Sequence, residues 1–130
     1  MNISSYNREF RTEGKYSSIL NDVSKVEFIK LRELNLQNCG IIDLTPLISD
    51  IFKYLVFLNL QFNHIKDLTP MKNIKFLNIK EMHFAMNNIY EIYPLKNIGF
   101  KCLKVLGFDS NPINWNEENK NIYNQIISNN

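Results

Sequence analysis

The chain repeats itself every 24 residues, and this limits its fold more than any other property. Leu31, Leu55, Ile79 and Leu103 stand in register, as do Leu34, Leu58, Met82 and Leu106, and then Leu36, Leu60, Phe84 and Phe108. A fourth column reads Cys39, Asn63, Asn87 and Asn111, and a fifth Ile41, Ile65, Ile89 and Ile113. Each unit continues through Leu44, Leu68 and Ile92, through Pro46, Pro70 and Pro94, and through Leu47, Met71 and Leu95. The phase persists into Phe28, Phe52, Phe76 and Phe100. A fixed period in the range of about 20 to 50 residues marks stacked units, none of which can bury its apolar face alone.

Local chemistry says how one unit is built. Apolar residues two apart, such as Leu34 and Leu36 or Leu58 and Leu60, point to one face of a short strand, so the residues between them face out. Stacking sets such strands parallel, about 4.8 Å apart, and turns the Leu, Ile and Phe columns into interior rows. The Asn column implies an amide ladder that satisfies backbone groups where each strand turns, with Asn63, Asn87 and Asn111 buried and fully bonded. Cys39 shares that column as a small, weakly bonding, buried thiol, which argues against a catalytic role. In Thr45-Pro46 and Thr69-Pro70 the threonine suits a helix N-cap and the proline the first helical position. Short helices are therefore expected over about 46–53, 70–76 and 94–99. Tyr93 in place of threonine makes the third start the least well capped, and Gly99 suggests an early end.

These columns resemble the leucine-rich repeat, L-x-x-L-x-L-x-x-N/C-x-L, here LRELNLQNCGI, LVFLNLQFNHI, IKEMHFAMNNI and LKVLGFDSNPI. The continuation through IIDLTPL and HIKDLTPM is similar to the phosphatase-regulator and internalin type of that family. The resemblance implies an α/β fold. It would be a right-handed leucine-rich-repeat solenoid with short parallel strands on its concave face, short helices on its convex face and helical caps at both ends.

The expected division is a polar tail over 1–14 and one domain over 15–128. The domain comprises a helical half-unit at 15–30, repeats at 31–54, 55–78, 79–102 and 103–113, and a cap helix at 114–128. Leu20, Val23, Val26 and Phe28 keep the phase of later units, so the half-unit covers the first strand. At the other end, Asn114 with Glu117 reads as a capping box, and Ile122, Tyr123, Ile126 and Ile127 form a helical apolar stripe. Trp115 and Tyr123 are expected to pack within this cap.

Functional groups are sparse. His64 and His83 occupy different repeat positions and do not converge as metal ligands, and the four glycines form no phosphate loop. Cys39 and Cys102 fall at different points of the repeat, too far apart for a disulfide. The expectation is a non-enzymatic protein with no catalytic site, cofactor or metal. A net charge of +2, with basic and acidic residues mixed on the outward face, excludes a one-signed basic stripe for nucleic acid. No apolar run reaches the roughly 18 residues of a membrane span, and the N-terminus has no signal-peptide core. An intracellular protein, monomeric alone, with neither nucleic acid nor membrane as partner, is expected.

The remaining candidate is the outward row of the sheet, which would bind another protein. Glu33, Phe57, Glu81 and Val105 form one cross-strand column, Asn35, Asn59 and His83 another, and Gln61 and Asp109 a third. Phe57 and Val105 would be apolar anchors and Glu33, Asn35, Asn59, Gln61, Glu81, His83 and Asp109 the polar selectors. Phe62 and Met86 would extend the patch. The function implied is an adaptor or regulatory subunit, and the alternative is a bacterial-type adhesin or host-directed effector of the internalin kind.

Overall fold

The structure, a computed structural model, describes residues 31–128. The expected polar tail and N-terminal half-unit, with Leu20, Val23, Val26 and Phe28, lie outside the described residues.

The repeat becomes a ladder. Strands β1 (Glu33–Asn35), β2 (Phe57–Asn59), β3 (Glu81–His83) and β4 (Val105–Gly107) form one parallel sheet in the order β1-β2-β3-β4. Leu34 pairs with Leu58, Leu58 with Met82, and Met82 with Leu106, so the spacing of 24 in sequence is also the register of the sheet. Beneath it the apolar columns form continuous buried rows. Leu34, Leu36, Leu58, Leu60, Met82 and Phe84 are all fully shielded from solvent. Phe84 stacks on Phe108 with ring centroids 5.4 Å apart. Truncating a side chain in such a row costs about 2–5 kcal/mol, because both the transfer term and the cavity term are lost.

The asparagine ladder satisfies the turn after each strand. Oδ1 of Asn63 accepts the N–H groups of Cys39 at 3.0 Å and Ile41 at 2.9 Å. Its Nδ2 donates to the carbonyls of Leu36 and Leu60 at 2.9 and 2.8 Å. Asn87 repeats the pattern, accepting from Ile65 and donating to Leu60 and Phe84. Asn111 does the same between Ile89, Phe84 and Phe108. Each amide thus joins two rungs through groups that burial would otherwise leave unpaired. Asn63 and Asn87 are buried as expected, whereas Asn111 is only half-buried. It follows the last described strand, and among the described residues no further rung stacks over it.

The return segments are shorter and tighter than the pattern suggests. Instead of helices over 46–53, 70–76 and 94–99, the chain makes 3-10 turns at Thr45–Ile48, Asp50–Phe52, Thr69–Asn73 and Tyr93–Leu95. The first, third and fourth of these turns each bury one anchor, Leu47, Met71 or Leu95. A 3-10 turn rises about 2.0 Å per residue and crosses the unit's width with fewer residues than an α-helix. Threonine is not the cap. The carboxylate two residues before the proline-side turn does that work: Asp43 accepts the N–H of Thr45 at 2.8 Å and Asp67 that of Thr69 at 2.7 Å. Glu91 accepts the N–H of Tyr93 at 2.8 Å, so the third start is closed like the other two. It ends early, at Leu95, and the left-handed residue that follows is Asn97, with φ of 68°, rather than Gly99. The Thr69 side chain and backbone N–H, helped by Lys72, hold the Asp67 carboxyl below its ordinary pKa.

Helix α1 (Glu117–Ser128) closes the C-terminal end. Its N-cap is Asn116, two residues later than expected: Oδ1 of Asn116 accepts the N–H of Asn119 at 2.8 Å. Asn114 instead lends its carbonyl to Nδ2 of Asn119 at 2.7 Å, which keeps that buried amide satisfied. Ile122 and Ile126 are buried against the last rung, with Tyr123 and Ile127 packed beside them. The Tyr123 hydroxyl donates to the Leu106 carbonyl at 2.9 Å and ties the helix to β4. Trp115 meets Tyr123 edge to face at 5.7 Å yet stays 41% exposed. Cys39 and Cys102 are both free, with Cys39 buried.

Candidate functional site

Side chains that alternate with the buried rows emerge on the opposite face of the sheet, and the rungs fix their spacing. Across the middle of the strands lie Glu33, Phe57, Glu81 and Val105, in register with one another. Glu33 is exposed, Phe57 and Glu81 are half-buried, and Val105 is 40% exposed. The Phe57 ring lies 5.4 Å from the His83 imidazole, and His83 Nε2 lies 3.2 Å from Glu81 Oε2. Phe57, Glu81 and His83 therefore form one cluster spanning β2 and β3. The phenyl ring is neither withdrawn into the core nor fully extended into solvent.

The asparagine row of this face has a different role. Oδ1 of Asn35 accepts the N–H of Gln37 at 3.1 Å, and Oδ1 of Asn59 accepts that of Gln61 at 3.0 Å. Nδ2 of Asn59 donates to Oε1 of Gln37 at 3.3 Å, and Asn59 is 9% exposed. Both amides end their strands by bonding their own backbone two residues on. The structure thus brings Phe57, Glu81 and His83 together and flanks them with Glu33 and Val105. Gln61, half-buried, and Asp109, exposed, lie just past the strand ends, and Asn59 is absorbed by the scaffold.

One further column stands out only in three dimensions. Asn38, Phe62, Met86 and Ser110, spaced by 24, all have a left-handed backbone, with φ of 56°, 56°, 57° and 57°. Asparagine adopts this conformation readily, but bulky residues rarely do. Phe62 and Met86 nevertheless occupy it, and they are 46% and 47% exposed. The sequence marks this column by position alone, because nothing in the residue types announces the positive φ. Among the described residues, no group of three or more His, Cys, Asp or Glu side chains is placed to hold a metal ion. No described helix is long and apolar enough to cross a membrane.

Comparison with known proteins adds a structural likeness. No family model matches the sequence, and no curated protein matches it. Among solved structures, an internalin C2 from Listeria monocytogenes superimposes with a TM-score of 0.56 at 25% identity, covering 78% of this chain and 39% of the internalin. An internalin, inlF, from the same organism gives 0.50 at 23% identity, covering 74% and 32%. The chain thus spans well under half the length of these neighbours. Parallel rungs at a 24-residue period, the asparagine ladder and this likeness identify the chain as a leucine-rich-repeat solenoid, similar in fold to the internalins.

Proposed function

We propose that the chain is an adaptor or regulatory module that binds a partner protein across the outer face of its sheet, with Phe57 and Val105 as apolar anchors. The observation that carries this reading is the break in repetition on that face. The buried leucine, isoleucine and phenylalanine columns stay apolar from rung to rung, whereas the outer column alternates acid and apolar residues as Glu33, Phe57, Glu81 and Val105. A half-buried aromatic ring braced by a histidine and ringed by polar groups is already restrained before a partner arrives, which lowers the ordering cost of binding. Glu33, Glu81, His83, Gln61 and Asp109 supply polar selection around the anchors, and Asn35 and Asn59 hold the backbone that presents them.

The test is affinity capture with the natural chain and with the double variant Phe57→Ala, Glu81→Lys. Proteins retained by the first and lost by the second, with thermal unfolding nearly unchanged, would support the reading. Undiminished capture by the folded variant would defeat it. In this reading the module is a monomeric intracellular adaptor; a dimer in sedimentation, or protein recovered from the culture medium, would redraw that part.

A further inference from the structure

Each of the first three rungs hands two main-chain N–H groups to the next. Leu36 and Asn38 donate to the carbonyls of Asn59 and Gln61 at 2.8 and 3.0 Å. Leu60 and Phe62 donate to His83 and Ala85 at 2.8 and 3.0 Å, and Phe84 and Met86 to Gly107 and Asp109 at 2.8 and 2.9 Å. One period further on stand Phe108 and Ser110. Among the described residues nothing accepts from either N–H. The carbonyls of Gly107 and Asp109 point back to β3, so the neighbouring groups of this edge point the other way. That way lies a groove of about 600 Å³ between β4 and α1, lined by Gly107, Phe108, Ser110, Trp115, Tyr123 and Asn124 among others. The Tyr123 hydroxyl occupies one position on the edge, the Leu106 carbonyl, and leaves the two donors open.

Two side-chain features fit the groove to an occupant. Where the other rungs carry Asn35, Asn59 and His83, β4 carries Gly107. The backbone does not require glycine there: its φ is not positive, and an added Cβ would meet only His83 Nδ1, at 3.8 Å. What glycine provides is room beside the open edge. Asp109, exposed at the mouth, has no ion pair among the described residues, while Lys120 across the groove is held by Glu117 at 3.1 Å. The unbalanced charge of the mouth is negative, and the Trp115–Tyr123 pair forms an aromatic wall.

We propose that the β4 edge takes up an extended, basic segment of a partner protein as a fifth strand. Two of its carbonyls, two residues apart, accept from Phe108 and Ser110; an apolar side chain meets the Trp115–Tyr123 wall; and a lysine or arginine meets Asp109. Adding a strand to an exposed edge draws affinity from the main chain and selectivity from the alternating side chains. An unprotected edge is a liability for a soluble protein unless it is covered or used. This inference stands apart from the anchor role of Phe57, since no residue of that cluster lines the groove.

The test uses the full 130-residue chain and a blocked heptapeptide alternating lysine with valine or tyrosine, followed by amide NMR and hydrogen exchange. In the free protein, Phe108 and Ser110 should exchange faster than Phe84 and Met86. Peptide should shift both resonances and slow their exchange by roughly tenfold or more. Gly107→Leu should remove both effects without lowering the unfolding temperature, and a peptide with glutamate in place of lysine should produce neither. The proposal is overturned by absence of any shift, or by a response confined to the Phe57–His83 cluster. Protection already present in the dilute free protein would assign the edge to the chain's own residues, and protection that grows with protein concentration would assign it to a second copy; either result also overturns it. Phe57→Ala, Glu81→Lys should leave the peptide response intact, so the two readings fail separately.

Discussion

The two faces of one short sheet obey opposite rules. Leu34, Leu58, Met82 and Leu106 sit directly beneath the gaps between Glu33, Phe57, Glu81 and Val105 and their neighbours, on the same strands and in the same register. On the inner face the residues stay apolar from rung to rung, because each side chain fills similar space between apolar neighbours at interior packing density. On the outer face the mid-strand residue changes at every rung, because solvent accepts almost any residue. Repetition on the inside therefore encodes the fold, and departure from repetition on the outside is where recognition is written. Phe62 and Met86 make the same point at a strained backbone position where Asn38 shows the undemanding choice.

Breaking the inner side should cost most. Asn63→Ala would strand the N–H groups of Cys39 and Ile41 and the carbonyls of Leu36 and Leu60, so a loss of about 3 kcal/mol is expected from urea unfolding. Asn111→Ala, at the half-buried end of the ladder, should cost about half as much; equal losses would show that burial does not grade the ladder. Next comes the cap of a return segment. Asp67→Ala should cost about 1 kcal/mol at neutral pH. Its carboxyl lies below the ordinary value when folded, so the contribution is complete above the unfolded pKa of about 3.9 and disappears as pH falls through the folded one. The stability gap between the natural chain and the variant should therefore close in acid, and a gap that persists at low pH would remove the carboxylate from the account.

Outward changes should be smaller and of either sign. Phe62→Asn replaces a bulky left-handed residue by a tolerant one, and a gain of about 0.5 kcal/mol is expected in thermal unfolding. A loss instead would mean that the phenyl ring packs more than its exposure indicates. Phe57→Ala should change stability little, by under about 0.5 kcal/mol, while still weakening partner capture. A large loss of stability there would erase the distinction between the two faces.

Much of the fold was legible because its cause is periodic. Strand register, the buried Leu and Ile rows and the asparagine ladder all follow from the columns, since identical units stacked in one direction must put like residues in contact. The helical segments were less legible. Proline marked where each return starts, but the 3-10 geometry came from the distance the chain has to cross and from the single anchor that Leu47, Met71 or Leu95 provides. The capping carboxylates recur as Asp43, Asp67 and Glu91 and were visible in the sequence, where Thr-Pro drew the assignment instead. The start of the C-terminal helix shifted from Asn114 to Asn116 for a similar reason, as several asparagines compete and packing of Ile122 and Ile126 selects the phase.

The candidate site divides the same way. Which residues face outward follows from alternation along each strand, so Glu33, Phe57, Glu81 and Val105 were placed by sequence. That Phe57 leans on His83, that Asn59 is consumed by its own turn, and that Gly107 opens a groove beside unmatched donors are matters of distance in the folded chain. The one-dimensional pattern determines which side chains share a row, because a parallel stack converts sequence period into neighbourhood. Only the folded chain decides how far each side chain reaches, which backbone groups find partners and where the ladder is left open, because those depend on the shape of the ends, where the period no longer applies.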